Sequence, residues 1–398
     1  MRFVALSFIV FVNNTMDESL VQLIKSQIRE RLPEVVDLRH RLHAEPELGL
    51  DTAATAAKIR SALARTSLEM RQPLIGNDVI GELQAGIKTI CLRADIDAIP
   101  VAEANDLPHK SRIPGAMHAC GHDGHTAMLV GAALVLDSLK DRLGASVRFV
   151  FQPGEELICA GKTLVERGAL QGCEAAYAIH GWSGLPAGYV VAKEGPAFAA
   201  GSHFDITITG KGCHGALPDK GNNPIPVAAR IAESLQRMHE RLNLEDGTVV
   251  SVCAFQAGDS SNVIPDTAIV RGTARYLSTK RGDMVEQGIR NVVDDAAGAS
   301  SVTGNIDYHR AYDLPLVNTR GAYQLIKELA GKYAKFMEKD RVEMTMDDFA
   351  YYLPEREGAM FLLGLGESWP ALHSQRFDFN DEVIETGALM HCLIALSY

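Results

Sequence analysis

Apolar positions along this chain follow two rhythms. Residues 17–43 (DESLVQLIKSQIRERLPEVVDLRHRLH) repeat at the helical period, and Pro33 predicts a break within them. Residues 52–65 predict a second helix, rich in Ala and charged on one face. Helices are also predicted over 122–140 and 161–168. Short apolar runs at 78–84, 88–94, 147–152 and 174–180 predict strands. Strands alternating with helices imply an α/β layer with a largely parallel sheet.

The middle of the chain is patterned differently. Residues 203–209, 248–256, 267–276 and 301–309 alternate as strands, and 224–243 and 279–297 repeat as helices. Their order is β-α-β-β-α-β, the ferredoxin-like split motif. Such a unit buries its own core, so 199–310 is predicted as a domain that interrupts another. The interrupted domain comprises 16–198 and 311–398, the latter with a helix at 318–338, a strand at 359–364 and a helix from 381. A chain of 398 residues exceeds one ordinary core, which agrees with two domains.

Composition narrows the function classes. Hydrophobic residues make up 46% and charged residues 22%, as in soluble globular proteins, so disorder, collagen and coiled coil are excluded as the main architecture. Lys+Arg 39 against Asp+Glu 50 gives a net charge of −11, which argues against nucleic-acid or anionic-membrane partners. Seven cysteines without a CxxC pair fit a reducing compartment, hence a cytoplasmic location. Residues 3–12 are largely apolar but too short to span a bilayer. They are read as a start-site extension ahead of Met16, with a signal segment over 1–15 as the alternative.

The densest polar constellation is Met117-His118-Ala119-Cys120-Gly121-His122-Asp123-Gly124-His125, just before a hydrophobic helix. Thiolate and imidazole are good ligands for Zn²⁺ and its neighbours, and a loop entering a helix can aim them at one point. Glu155 and Glu156 directly follow a strand. Adjacent carboxylates in a pocket need a compensating cation or proton, so one would bind metal and the other shuttle a proton. Asp95 and Asp97 end an apolar strand, His180 ends another, and His373 follows a third after a loop. In open α/β sheets the ligand crevice lies at that carboxyl edge. In the inserted domain, His214, Asn262 and Arg275 are candidate donors to an oxyanion or a carboxylate. Each of these lone residues also has a plain structural explanation, as packed imidazole, turn or ion pair. G-x-S-x-G, G-x-x-x-x-G-K-[ST] and H-E-x-x-H motifs are absent, as is a G-x-G-x-x-G opening a helix after a strand.

Taken together, the stretches HRLHAEPELGL, RADIDAIPV, MHACGHDGHTAML, FQPGEE, HGWSGLPAG, GKGCHGALPDKGNNPI, SNVIPD and LHSQRFDFND resemble the aminoacylase and carboxypeptidase superfamily of two-metal peptidases. The resemblance is greatest to the amidohydrolase branch of hippurate hydrolases, N-acyl-amino-acid deacylases and plant auxin-conjugate hydrolases. It implies a mixed-sheet catalytic α/β domain interrupted by a ferredoxin-like lid that mediates a homodimer or homotetramer. It implies two divalent metals per subunit, Zn²⁺ or Mn²⁺ foremost and Co²⁺ or Ni²⁺ as alternatives. By motif the ligands would be Cys120, His122, Glu156, His180 and His373, with Glu155 as general base and Asp97 supporting the centre. His214 and Asn262 would be lid residues that bind the substrate carboxylate or the developing oxyanion. The implied activity is hydrolysis of the amide bond of small N-acyl amino acids. A dipeptidase or aminopeptidase on the same scaffold is the rival enzyme, and a non-catalytic metal-binding scaffold the rival of another class. The chain departs from the family pattern at Gly154, where Ala is usual, at 157–160, where a glycine-rich run is usual, and at Met346-Asp347-Asp348-Phe349, where S-E-D-F is usual.

Overall fold

A computed structural model describes residues 16–354 and 356–398. The expectation for residues 1–15 lies outside the described residues. The chain forms two compact units. One holds the described residues up to Gly195 with Val317–Arg341 and Asp348–Tyr398; the other holds Pro196–Leu316 with Val342–Asp347.

The first unit is built on an eight-stranded sheet. Its centre is four mutually parallel strands in the order Ser146–Gln152, Thr89–Asp95, Cys173–Ser183 and Glu357–Gly366. Antiparallel neighbours flank them, Val79–Leu83 on one side and Tyr189–Ala192 on the other. The sheet is therefore mixed: its four middle strands have the predicted parallel character, with one further parallel pair at an edge. Those middle strands are buried along nearly their whole length, as expected when helices cover both faces. The helix His122–Ser138 is buried from His122 to Leu136, so it lies in the core with Glu18–Ala44 and Ile384–Ala395 packed against it.

Three details depart from the sequence expectations. Glu18–Ala44 is one continuous helix despite Pro33. Pro33 lies on the exposed face, where water can take the carbonyl it leaves unpaired, while Ile28, Val35 and Leu38 anchor the buried face. The predicted helix 318–338 is a shorter helix, Arg320–Tyr333, followed by a strand Lys335–Glu338 that pairs in parallel with Tyr189–Ala192. Sheet pairing overrides helical propensity there. The strands at 189–192 and 195–198 were not foreseen either; both are only four residues long.

In the second unit, four antiparallel strands lie in the order Val249–Ala257, Thr267–Tyr276, Ala200–Thr209, Thr303–Tyr312. Phe204, Ile206, Ile208, Val270 and Ala274 pack under Ile231, Leu235, Val285 and Ile289 of the helices Ile225–Asp246 and Thr279–Gly298. Among the described residues no helix is long and apolar enough to cross a membrane.

Candidate metal centre

The candidate side chains of the first unit come from the carboxyl ends of parallel strands, from the start of the core helix and from the loop that carries His373. Asp95 closes its strand opposite Gln152, whose own strand runs on into Glu155 and Glu156. His180 lies near the carboxyl end of the next strand, opposite Leu362. Cys120 and His122 flank Gly121, which caps the core helix at φ 89°, a left-handed conformation that favours glycine. Gly154 turns the chain from strand to helix at φ 75°, and a Cβ there would lie 2.9 Å from that of Ala160. The alanine usual in the resembled family would be strained here. His373 has φ 63°, unusual for a residue with a side chain, and its backbone N donates to Ala119 O at 2.7 Å. That bond ties it to the loop that carries Cys120.

The side chains converge. Cys120 Sγ lies 3.5 Å from His180 Nε2. Glu156 Oε1 lies 3.7 Å from His122 Nε2 and 3.3 Å from His373 Nε2. Donor atoms within 4.8 Å of one another form overlapping sets: Cys120, His122 and His180; Cys120, Glu156 and His373; His122, Glu155 and Glu156. Glu155, with 6% of its surface exposed, sits inside the last set.

The surrounding bonds decide which atoms face this cluster. His122 Nδ1 lies 2.8 Å from the carbonyl of Asp97, to which it donates when protonated, so Nε2 is the atom turned inward. The carboxylate of Asp97 accepts from the backbone N of Glu155 (3.1 Å) and of Glu156 (3.2 Å). Asp97 thus fixes the Glu pair through their main chain. Sequence reasoning did not assign roles to Asp95 and His125. Asp95 Oδ1 lies 2.6 Å from His125 Nδ1, and His125 Nε2 accepts from Gly181 N at 2.8 Å. Arg93 donates to Asp95 at 2.7 Å and to Asp348 at 2.8 Å. The clue was the His-x-x-His spacing of 122 and 125, which places both on one side of a helix start.

Electrostatics mark the cluster as short of positive charge. Burial drives the Cys120 thiol well above its usual range, and Glu156, Glu155 and Asp95 drive it further. Burial opposes a charge on His122, yet Asp95, Asp97 and Glu156 outweigh it and raise the imidazole to about 10. His180 is pushed down to about 3, by burial first and His125 second. His122 Nε2 and Glu156 Oε1 are buried without a hydrogen-bond partner. Unpartnered buried polar atoms are costly, and a cation between them removes that cost. One sulfur, three imidazoles and one carboxylate form a donor set that divalent first-row metals accept. The residues present therefore fit a metal centre.

In the second unit, His214 and Asn262 lie on adjoining chain segments. His214 pairs with Val263, and Gly215 N donates to Asn262 O at 2.7 Å. Ser260 Oγ donates to Asn262 Oδ1 at 2.7 Å. Arg275 is not with them. It lies eight residues along its strand from Thr267, about 27 Å at the usual rise, and donates to Ala274 O at 2.9 Å.

Comparison with known proteins agrees with this geometry. Residues 91–397 match the model of peptidase family M20/M25/M40. The chain is 33% identical to the Arabidopsis thaliana IAA-amino acid hydrolase ILR1-like 4, over 92% of this chain and 85% of that one. It is 34% identical to a Bacillus subtilis N-acetyl-L-cysteine deacetylase over 83% and 80%. It is 30% identical to thermostable carboxypeptidase 2 of Saccharolobus solfataricus over 95% and 99%. Among solved structures it is similar to the Bacillus subtilis YXEP protein, described as a dinuclear metal-binding peptidase, with TM-score 0.82 and 30% identity over 92% and 98%. That likeness and the overlapping donor sets support two divalent metals in this chain.

Proposed function

The chain belongs to peptidase family M20/M25/M40, as a metal-dependent amide hydrolase, and from that premise we propose that it removes the acyl group of N-acyl amino acids. The observation that carries the reading is the convergence of Cys120, His122, Glu156, His180 and His373 beside a buried Glu155. The five would hold the two metals, with Zn²⁺ or Mn²⁺ the best match to the donor set. When bound, these cations supply Lewis acidity to the amide carbonyl and to the attacking water. Glu155 takes the proton of that water and returns it to the leaving nitrogen, which departs as an amine. Asp97 holds Glu155 and Glu156 through their backbone N–H groups, and Asp95 with His125 holds the strand end that carries His180. His214 and Asn262 bind the substrate carboxylate or the developing oxyanion, with Arg275 a separate anion-binding group. The second unit would then act as a lid and as the surface through which copies associate.

A metal-reconstituted substrate screen tests this. N-acetyl- and N-benzoyl-amino acids should be hydrolysed and the chelated protein should be inactive. The likeness to a thermostable carboxypeptidase favours a second reading, hydrolysis of peptides, and faster turnover of dipeptides in the same screen would establish it. Glu155→Gln should keep its metal content and lose about 10³-fold in kcat. Near-normal turnover in that variant would refute Glu155 as the base.

A further inference from the structure

HRLH at 40–43, with its preceding Arg39, and RFDFND at 376–381, the part of the LHSQRFDFND motif beyond His373, contain none of the proposed ligands. The structure brings them together. Arg39 is fully buried; its Nη1 donates to Asp378 Oδ1 at 2.6 Å and to the carbonyl of Phe379 at 3.1 Å. Its Nε pairs with Asp381 at 3.2 Å. On the other side Trp369 Nε1 donates to the carbonyl of Asp378 at 2.6 Å, and Asn380 Nδ2 to that of Leu365 at 2.8 Å. The segment that carries Phe379 is thus clamped along its backbone.

The ring of Phe379, 1% exposed, lies against three glycines. A Cβ at Gly124 would come within 2.3 Å of the ring, one at Gly181 within 2.6 Å and one at Gly121 within 3.0 Å. The His125 ring meets it edge-on at 6.0 Å between centroids. Gly121 separates Cys120 from His122, and Gly181 directly follows His180. One rigid ring therefore touches the main chain of both segments that deliver these ligands. A ring that served only to fill volume could pack on side chains. This one lies where three side chains are missing, so it contacts the backbone directly and fixes the distance between the two segments.

We propose that Phe379 is a positioning residue of the metal centre, its ring setting the separation of the Cys120–His122 turn from His180, with Arg39 holding the ring in place. This rests on the ligand assignment made above. Groups that orient ligands change metal affinity about 10–100-fold when altered. Zinc affinity, by competition with a chromogenic chelator, is measured in the full chain and in Phe379→Leu, Gly124→Ala and the double variant. The Co²⁺-loaded proteins report the thiolate charge-transfer band of Cys120, and thermal unfolding of the metal-free proteins reports packing alone. Phe379→Leu and Gly124→Ala should each weaken zinc about 10–100-fold and shift the band. The double variant should bind better than Gly124→Ala alone, because the smaller side chain makes room for the new Cβ. Zinc affinity within about twofold of the parent in Phe379→Leu, with only a lower metal-free unfolding midpoint, would show a packing role and overturn the proposal. Should Phe379→Leu not fold, unchanged affinity in Gly124→Ala overturns it equally. A parent chain that binds no zinc or cobalt would instead bring down the ligand assignment, and this inference with it.

Discussion

Two histidine clusters occupy the first unit, and they are built from the same residue types to opposite ends. In one, His122, His180 and His373 meet Cys120 and Glu156, and buried donor atoms are left without partners. Glu156 has imidazoles as its ion-pair partners. In the other, His40, His43 and His109 gather around Arg39, and its carboxylates face built-in cations. Asp378, Asp381 and Asp123 lie within 3.8 Å of Arg39, and Glu103 lies 3.3 Å from His43. His43 Nδ1 lies 2.8 Å from Asp123 Oδ2, and the His40 and His109 rings stack at 3.9 Å. His118, its ring centroid 6.4 Å from that of His43, has no hydrogen-bond partner; burial pushes it down to about 3 and keeps it neutral. A guanidinium does in the second cluster what an added cation must do in the first. Density of histidine and carboxylate is therefore a poor guide to a metal site, and so is the presence of unpartnered buried atoms, which both clusters contain; what separates them is the buried guanidinium of Arg39.

The contrast can be broken experimentally. The largest effect is expected from Cys120→Ala or His122→Ala, which should reduce hydrolysis to background and lower the metal content measured by elemental analysis. Full metal content in both would remove the distinction between the clusters. Arg39→Met should cost about 4 kcal/mol in chemical denaturation, because it strips the cation from the buried Asp123 and the half-buried Asp378 and Asp381. At saturating zinc its folded fraction should still hold as much metal as the parent. A smaller effect concerns pH. Burial opposes a charge on His43, but Asp123 and Glu103 prevail and raise it from 6.5 to about 9. A raised folded value contributes stability that is complete below pH 6.5 and lost as pH climbs through about 9. Stability should fall over that window by about 3 kcal/mol at most, and His43→Gln should flatten the fall. An unchanged slope in the variant would show that His43 is neutral in the folded protein.

Legibility differed between the clusters for a physical reason. Cys120, His122, Glu155 and Glu156 lie in short runs whose chemistry is local, so the runs themselves point to a metal. Arg39 and Asp378 are 339 positions apart, and nothing in either stretch announces a partner. Phe379 carries no metal chemistry at all; its role shows only in the glycines that face it. Asp95 and His125 were in view but unassigned, because their bond spans 30 positions. Arg275 has the same donor chemistry as His214 and Asn262, yet the strand it occupies carries it to the far end of the sheet.

By itself the sequence determined the period of each major element, the β-α-β-β-α-β order of the inserted unit and the residue types able to bind metal. These depend on neighbours a few positions apart, where spacing and side-chain chemistry suffice. Tertiary structure decided that Lys335–Glu338 pairs as a strand, that the Asp97 carboxylate accepts from backbone N–H groups and that the carboxylates around one set of histidines are already paired with Arg39. Those outcomes turn on which distant group reaches a buried polar atom first, and only the packed fold sets that.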